Sequence, residues 1–483
     1  MSIDGRLPDI PDPELAEAYE QAAVRNVLAA VNADIFPGYW SVCADGQGFG
    51  LGNTFPSLDG HQMADALLRL GQVDVVKANW DYVRGFQRPD GQLPLAILPG
   101  IAGQEIGDEG AKSRLDANGG LYRHWVPGDP LRALASPTYI QNADVLFRIT
   151  QDRAWLAAQR DSVHRAADHL ASMVTAEGAV GGAGYYIERP TRIEYDGVAQ
   201  CHAIDAFRRV AALDDVAGDS AAAQHYRAIA GRIAAHFTTR FWVGQQFAEY
   251  IHPERGVIAA HGLTDVDWAA LATGVATPEQ RAVLWPQLKD EKRFYYGGMP
   301  TGIATQADTY EAWEFAYPDR HDLAAMGRVW HVECWARHAM GDADGLAASL
   351  RAVAKAGRAN GYSWRERYHP DGKGGCIPAG PEWYCEYPAN LIRVVQRFLL
   401  GVEFELDGAL TIAPVAPAAF WEKGFGQTLA WRGRTLSYRM QTGELRGQFS
   451  GASAQRVWVG LGQNPRREDV RATAGGRSVA VEV

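Results

Sequence analysis

The feature that most constrains this chain is a helical period that recurs, helix pair after helix pair, from about residue 12 to about residue 400. Apolar residues at 3.6-residue spacing mark PELAEAYEQAAVRNVLAAVNADIF (13–36), DRAWLAAQRDSVHRAADHLASMV (152–174) and DSAAAQHYRAIAGRIAAHFTTRFW (219–242). They mark DLAAMGRVWHVECWARHAM (322–340), DGLAASLRAVAKAG (344–357) and EYPANLIRVVQRFLLG (386–401) as well. Shorter helices are expected at 57–70, 73–87, 137–150, 197–213, 265–288 and 305–316. Ser136-Pro137, Asp219-Ser220 and Thr277-Pro278 supply helix starts. Long Gly- and aromatic-rich loops separate the pairs, at 37–56, 88–135, 176–196, 289–304 and 359–385. Such lengths exceed those of plain connectors, so function is expected on one loop face of a helical scaffold. No residue-identity repeat accompanies the succession, which suits a closed all-α toroid of hairpins better than a solenoid.

After Gly401 the pattern changes. ALTIAPVAP, QTLAWRGRTLSYRM and RVWVGLG alternate apolar and polar residues between turn signals, as short strands do. The expected division is therefore a helical domain over 1–401 and a small β-strand domain over 402–483.

Composition narrows the function. Lys and Arg number 47 against 57 Asp and Glu, a net charge of −10, which argues against binding a phosphate backbone. No stretch approaches about 20 consecutive apolar residues, so no membrane span is expected. MSIDGRLPDIPDPELAEAYE lacks the basic and apolar regions of a secretory signal. The five cysteines are odd in number and scattered, which suits reduced thiols and a cytoplasmic protein. His124, His202, His331 and His369 are dispersed, with no H-E-x-x-H, and no metal site is expected. DGQGFGLGNTF (45–55) lacks a strand–Gly–helix setting, so it reads as a loop shaping a pocket, and no cofactor is expected.

Several segments, taken in order, resemble a known superfamily. FPSLDGHQMADALLRLG (55–71) followed by ANWDYVRGFQRPDGQLP (78–94) is similar to a segment of the six-hairpin, (α/α)6-barrel glycosidases. There an aromatic-rich Asp loop opens one helix and a Gln-x-x-Asp-Gly-x-x-Pro turn ends the next; Gln87, Asp90, Gly91 and Pro94 match that turn. SPTYIQNADVLFRITQDRAWL (136–156) looks like the following hairpin. IEYDGVAQCHAIDAF (193–207) resembles the general-acid motif of trehalase-like and glycoside hydrolase family 63-like enzymes. GRVWHVECWARHAMGD (327–342) resembles their Gly-x-x-Trp helix, and WRERYHPDG (364–372) their segment carrying the general base. The ordered set spans roughly residues 50–425. GALTIAPVAPAAFW instead looks like β-units of rhamnosidase- and phosphorylase-type relatives.

The resemblance implies an exo-acting glycoside hydrolase on a small carbohydrate, an α-glucoside by motif order. Such chemistry needs two carboxyl groups flanking the anomeric carbon, about 6.5–9.5 Å apart in an inverting enzyme. Asp196 is the expected general acid and Glu366 the general base; Glu194, Glu382 and Glu386 are the alternative carboxylates. Asp196 also suits a helix cap, and an acid there needs shielding, for which Tyr195 is placed, to offset the helix N-terminus. Glu366, between Arg365 and Arg367, could equally be a surface ion pair. Asp59 is a second helix cap or a sugar-hydroxyl ligand. Trp40, Trp125, Trp330, Trp364 and Trp383 are candidate stacking surfaces, with Trp330 the one best suited to core packing. Tyr195, Gln62, Gln141 and Arg189 are further candidate substrate contacts. Four rivals remain open from sequence: an α-L-rhamnosidase-like hydrolase, a glycoside phosphorylase without a base, a sugar epimerase using a His pair, and a catalytically dead carbohydrate-binding protein. Oligomeric state leaves no mark in the sequence.

Overall fold

The computed structural model describes residues 7–46, 58–93, 135–181, 192, 194–315, 323–442, 444–451, 455–460, 468–472 and 477–482. Twelve helices within them make two concentric rings. They are α1 (Pro13–Gln21, continued by a π turn, Ala22–Val27), α2 (Leu58–Arg69), α3 (Val73–Arg84), α4 (Ala135–Thr150), α5 (Arg153–Ser172) and α6 (Gly197–Ala217). Then follow α7 (Ser220–Arg240), α8 (Asp265–Ala272), α9 (Pro278–Leu288), α10 (Gly327–Ala339), α11 (Ala343–Ala359) and α12 (Glu386–Val394, continued by a π turn, Val395–Leu399).

The even-numbered helices form the inner ring. Helix α2 packs on α4, α4 on α6, α6 on α8, α8 on α10, α10 on α12, and α12 closes back on α2. Each odd-numbered helix packs outside its partner, with α1 and its π turn against α12. The result is an (α/α)6 barrel. Burial explains the sorting, because a helix covered on all sides must be apolar all round, whereas a surface helix needs one apolar stripe. Every residue of DVDWAALA in α8 is buried. The outer α11 buries only Leu346, Ala347, Ser349, Leu350, Val353, Ala354 and Gly357, the i, i+3, i+4 face.

Four expected helices differ, and the first, 13–36, leaves helix after Val27. The segment 265–288 breaks into α8 and α9, because Gly274 adopts φ +66° and Thr277 starts a new helix with a capping box before Pro278. Within the described part of the segment 305–316, residues 305–315, there are only two 3-10 turns, Ala307–Thr309 and Ala312–Glu314. Helix α10 begins at Gly327 rather than near 322, since Ala325–Met326 (β3) is drawn into a sheet.

Small sheets in the loops shape one end of the barrel. Tyr250–His252 (β1) and Gly256–Ile258 (β2) form an antiparallel hairpin. Strand β3 pairs with Arg367–Pro370 (β4), which pairs with Cys376–Ala379 (β5). Beyond Gly401 come Val402–Phe404 (β6), Leu410–Ile412 (β7), a short helix Ala418–Lys423 (α13), Phe425–Trp431 (β8), Arg434–Gln441 (β9), Glu444–Ser450 (β10), Gln455–Val459 (β11), Glu468–Ala472 (β12) and Arg477–Glu482 (β13). They make two four-stranded sheets, ordered β13-β10-β9-β8 and β12-β11-β7-β6. Arg69 and Arg148, at the C-terminal ends of α2 and α4, donate to the carbonyls of Val402 and Phe404, tying the second of these sheets to that end of the barrel. No helix among the described residues is long and apolar enough to cross a membrane.

Candidate active site

The N-terminal ends of the inner helices gather at the other end. Thr264, the N-cap of α8, bridges Ala304, and Gly302 bridges Ala325 just before α10. Arg328, at the start of α10, meets Glu386 at the start of α12. The Tyr384 hydroxyl donates to Asp59, in the first turn of α2. Two groups of charged side chains face this rim.

The first group surrounds Asp196, the N-cap of α6. Its Oδ1 accepts from the backbone N–H of Val198 at 2.6 Å and of Ala199 at 3.0 Å. Capping therefore uses one carboxylate oxygen. Oδ2 is buried without a hydrogen-bond partner, 3.5 Å from Arg192 Nη1. Burial raises the Asp196 pKa from its ordinary value, and this outweighs Arg192 and the two cap bonds, which lower it. Arg192 is itself engaged elsewhere. Its Nη1 and Nη2 bond Asp265 at 3.1 and 2.8 Å, and Nε bonds Glu249 Oε1 at 2.8 Å. The Tyr310 hydroxyl donates to the same Glu249 oxygen at 2.8 Å. Burial alone would lower Arg192, yet Asp265, Glu249 and Asp196 hold it well above the usual arginine range.

Local backbone places these groups. Asp196 bridges Tyr250, and Gly197 N–H donates to the Glu249 carbonyl at 2.9 Å, so the strand before α8 lies along the entry to α6. A Cβ at Gly197 would come within 2.6 Å of Val266 Cγ1 and 3.0 Å of that carbonyl. Only glycine permits this approach, which brings Glu249 to Arg192.

The second group lies on the α10–α12 side. Glu366 immediately precedes β4, whose pairing with β3 sets it above the start of α10. It is buried, with Arg328 Nη2 at 3.3 Å and Arg367 Nη2 at 2.9 Å. Gly380, at φ +81°, runs against it; a Cβ there would sit 2.8 Å from Glu366 Oε2. Glu386 takes Arg328 Nε at 2.8 Å and Nη2 at 3.1 Å. Burial raises its pKa, and Arg328 opposes that rise.

The other expected contacts divide. Asp59 reaches the rim through Tyr384, at 2.8 Å. Tyr195 (φ +52°) and Glu194 stand beside Asp196, half-buried, against Gly181. Gln62 and Gln141 line a small cavity of about 30 Å³ on the barrel axis, with His61, His202, His331 and Arg393. There Gln62 accepts from Asn390 and Gln141 donates to Asp205. Burial lowers His61 to about 3 and His202 to about 4. Glu382 is exposed and pairs with Arg365.

The indoles are a correction in part. Trp330 is fully buried and bonds Ser349 of the outer helix α11 at 2.9 Å, so it fills the wall between two helices. Trp40 is 2% exposed within the main core, and Trp364 bonds the Val353 carbonyl. Indoles this large lower the free energy most when buried, and the loops that carry them fold under the barrel wall. Trp383 is half-buried beneath the Arg25 guanidinium, 5.0 Å from its ring. Trp125, His124 and Arg189 lie outside the described residues.

Arg192, Glu249, Asp265, Arg328 and Tyr384 did not stand out in the sequence. Two left a signal: Arg192 lies beside the IEYD motif, and Arg328 lies inside GRVWHVECW. Glu249 left none, since FAEY in a loop has no diagnostic spacing.

No protein-family model matches the chain, and no curated protein does. Solved structures do match. A glycoside hydrolase family 78 (GH78) rhamnosidase of Bacillus sp. GL1 superposes with a TM-score of 0.66 at 14% identity, over 95% of this chain and 43% of that one. An α-L-rhamnosidase from Dictyoglumus thermophilum gives 0.61 at 11% identity, over 99% and 50%. This chain thus spans half or less of those rhamnosidases. A GH63 mannosylglycerate hydrolase from Thermus thermophilus, solved with glucose, gives 0.53 at 12% identity, over 79% and 99%. With its closed inner ring and five outer hairpin partners in sequence order, the protein has an (α/α)6-barrel fold like that of these glycosidase structures.

Proposed function

We propose that the protein is an exo-acting glycoside hydrolase that cleaves with inversion, Asp196 serving as general acid and Glu366 as general base. One observation carries the reading: two buried carboxyl groups on opposite sides of the same barrel end have contrasting surroundings. Asp196 has a raised pKa and an unpartnered Oδ2, which suits a group that delivers a proton to a leaving oxygen. Glu366 is ion-paired with Arg328 and Arg367, which suits a carboxylate that takes a proton from water. Asp59, positioned by Tyr384, is a sugar-hydroxyl ligand in this reading.

The order of the sequence motifs favours an α-glucoside. A second reading, an α-L-rhamnoside, is favoured by extent: the rhamnosidase superpositions run over 95% and 99% of this chain, the C-terminal strands included, against 79% for the mannosylglycerate hydrolase. A panel of α-glucosides, α-mannosides and α-L-rhamnosides, followed by NMR of the first-formed anomer, tests both. Release of the opposite anomer supports the proposal and names the sugar. Retention removes the base role, and cleavage that requires inorganic phosphate turns the enzyme into a phosphorylase. Altered stereochemistry without bond cleavage would make it an epimerase.

A further inference from the structure

A cleft of about 840 Å³ opens at the end of the barrel opposite Asp196 and Glu366, between the C-terminal ends of α2 and α4 and the β8–β9 hairpin. That volume lies within the range of small-molecule sites, which favour junctions between structural units. Arg69, Lys77, Asp152, Trp431, Arg432 and Arg434 line it. Asp152 is the one carboxylate among the lining residues, and it is engaged with Lys77 Nζ at 2.7 Å. Arg69 is answered by Asp65 at 2.9 Å.

Arg432 is not answered in this way. Its Nη2 donates to the Gly408 carbonyl at 3.1 Å, its Nε is buried without a partner, and no carboxylate among the described residues pairs with it. Arg434 stands two residues on, across the hairpin turn. Burial, with the Arg434 charge, lowers Arg432 to about 10, the direction expected of cations crowded together. Arg432 also holds φ +47°, a left-handed position that glycine or asparagine occupies at less cost. A half-buried guanidinium crowded by a second cation is an arrangement that a bound anion would relieve. Trp431 adds a buried indole N–H without an acceptor.

We propose that this cleft is a second ligand site, for a small molecule carrying an oxyanion, anchored by Arg432 and Arg434. The shared chemistry is a phosphate or carboxylate group. A polyanion is a poor fit for a chain of net charge −10. The site is separate from the glycosidase reading and stands or falls independently of it.

Calorimetric titration of the full chain with inorganic phosphate, glucuronate and neutral glucose, at fixed ionic strength in chloride, tests it. One oxyanion should bind per chain, and glucose should not bind there. A response to phosphate alone identifies a phosphate-bearing ligand, and a response to glucuronate alone a carboxylate-bearing one. Arg434→Gln should weaken binding at least tenfold. Arg432→Gly removes the guanidinium and the strained φ together, so it should raise the Tm of the unliganded protein while abolishing stabilisation by the anion. Asp196→Asn should bind the anion as the parent does. Absence of oxyanion binding in the parent, or unchanged affinity in Arg434→Gln and Arg432→Gly, overturns the proposal.

Discussion

Replacing Asp196 by Asn separates its cap from its chemistry. Asn caps helices about as well as Asp, and its carbonyl oxygen can keep both bonds to the Val198 and Ala199 N–H groups. The proton-delivering oxygen is lost. Acid catalysis contributes about 10²–10⁴-fold, or about 2.7–5.5 kcal/mol of barrier, so kcat should fall by that factor. The loss should be smaller for an aryl glycoside whose leaving group departs without protonation. Stability should move the other way with pH. The folded-state pKa of Asp196 is raised, so the folded protein holds a proton that the unfolded chain has released. Its contribution is fully present below the ordinary aspartate pKa and is lost as pH rises through the folded value. Asn does not titrate, so the stability difference between variant and parent should shift in the variant's favour across that window. Asp196→Ala is the control: it gives up the cap at about 1 kcal/mol and leaves two N–H groups unpaired. Steady-state kinetics on activated and unactivated glycosides, with urea unfolding at several pH values, reads both effects. If Asp196→Asn retains more than about a tenth of the parent kcat on the unactivated substrate, Asp196 is not the acid.

Glu366→Gln should lower kcat by about 10²–10⁴-fold with both substrate types, because base assistance to water does not depend on the leaving group; a leaving-group-dependent loss would reassign it. In Glu249→Gln, more of the Arg192 charge falls on Asp196, so the basic limb of the pH–rate profile should move down. An unmoved limb would show that Glu249 does not set the acid. Tyr384→Phe frees Asp59 of its 2.8 Å partner and should raise KM more than it lowers kcat, whereas a merely structural bond would alter only the unfolding midpoint. Asp267, raised to about 7 chiefly by burial, should cost the fold stability as pH rises from about 4 to about 7, at about 1.4 kcal/mol for each pH unit crossed. Asp267→Asn should flatten that part of the urea-midpoint profile.

Periodicity alone located most helices, because burial of one stripe or of a whole surface leaves a 3.6-residue imprint. It failed where a single residue decides the backbone: Gly274 in the left-handed region splits 265–288, and nothing in the apolar pattern marks that break. The strands of two to four residues that seat Glu366 are too short to show an alternation. Asp196 and Glu366 were singled out from ordered motifs, and both prove to be buried beside arginines, yet the partners of those arginines left no mark. Arg192 meets Glu249 and Asp265 across 57 and 73 residues of chain, and local spacing carries no record of such pairs. Tryptophans in loops suggested open platforms; Trp40 and Trp364 instead turned inward, where their area contributes most.

The sixth hairpin of the ring is assembled from the two extremities of the helical region, α1 with its π turn laid against α12. During synthesis, the buried face carrying Leu15, Ala18 and Tyr19 must wait for α11 and α12, more than 300 residues later, before it finds its partners. Five hairpins can stack as they emerge, but the circle latches only at the end, and the pairing of Tyr19 with Gln396 is among the contacts that latch it. A ribosome-bound fragment ending before α12 would expose an apolar seam, the natural landing place for a chaperone.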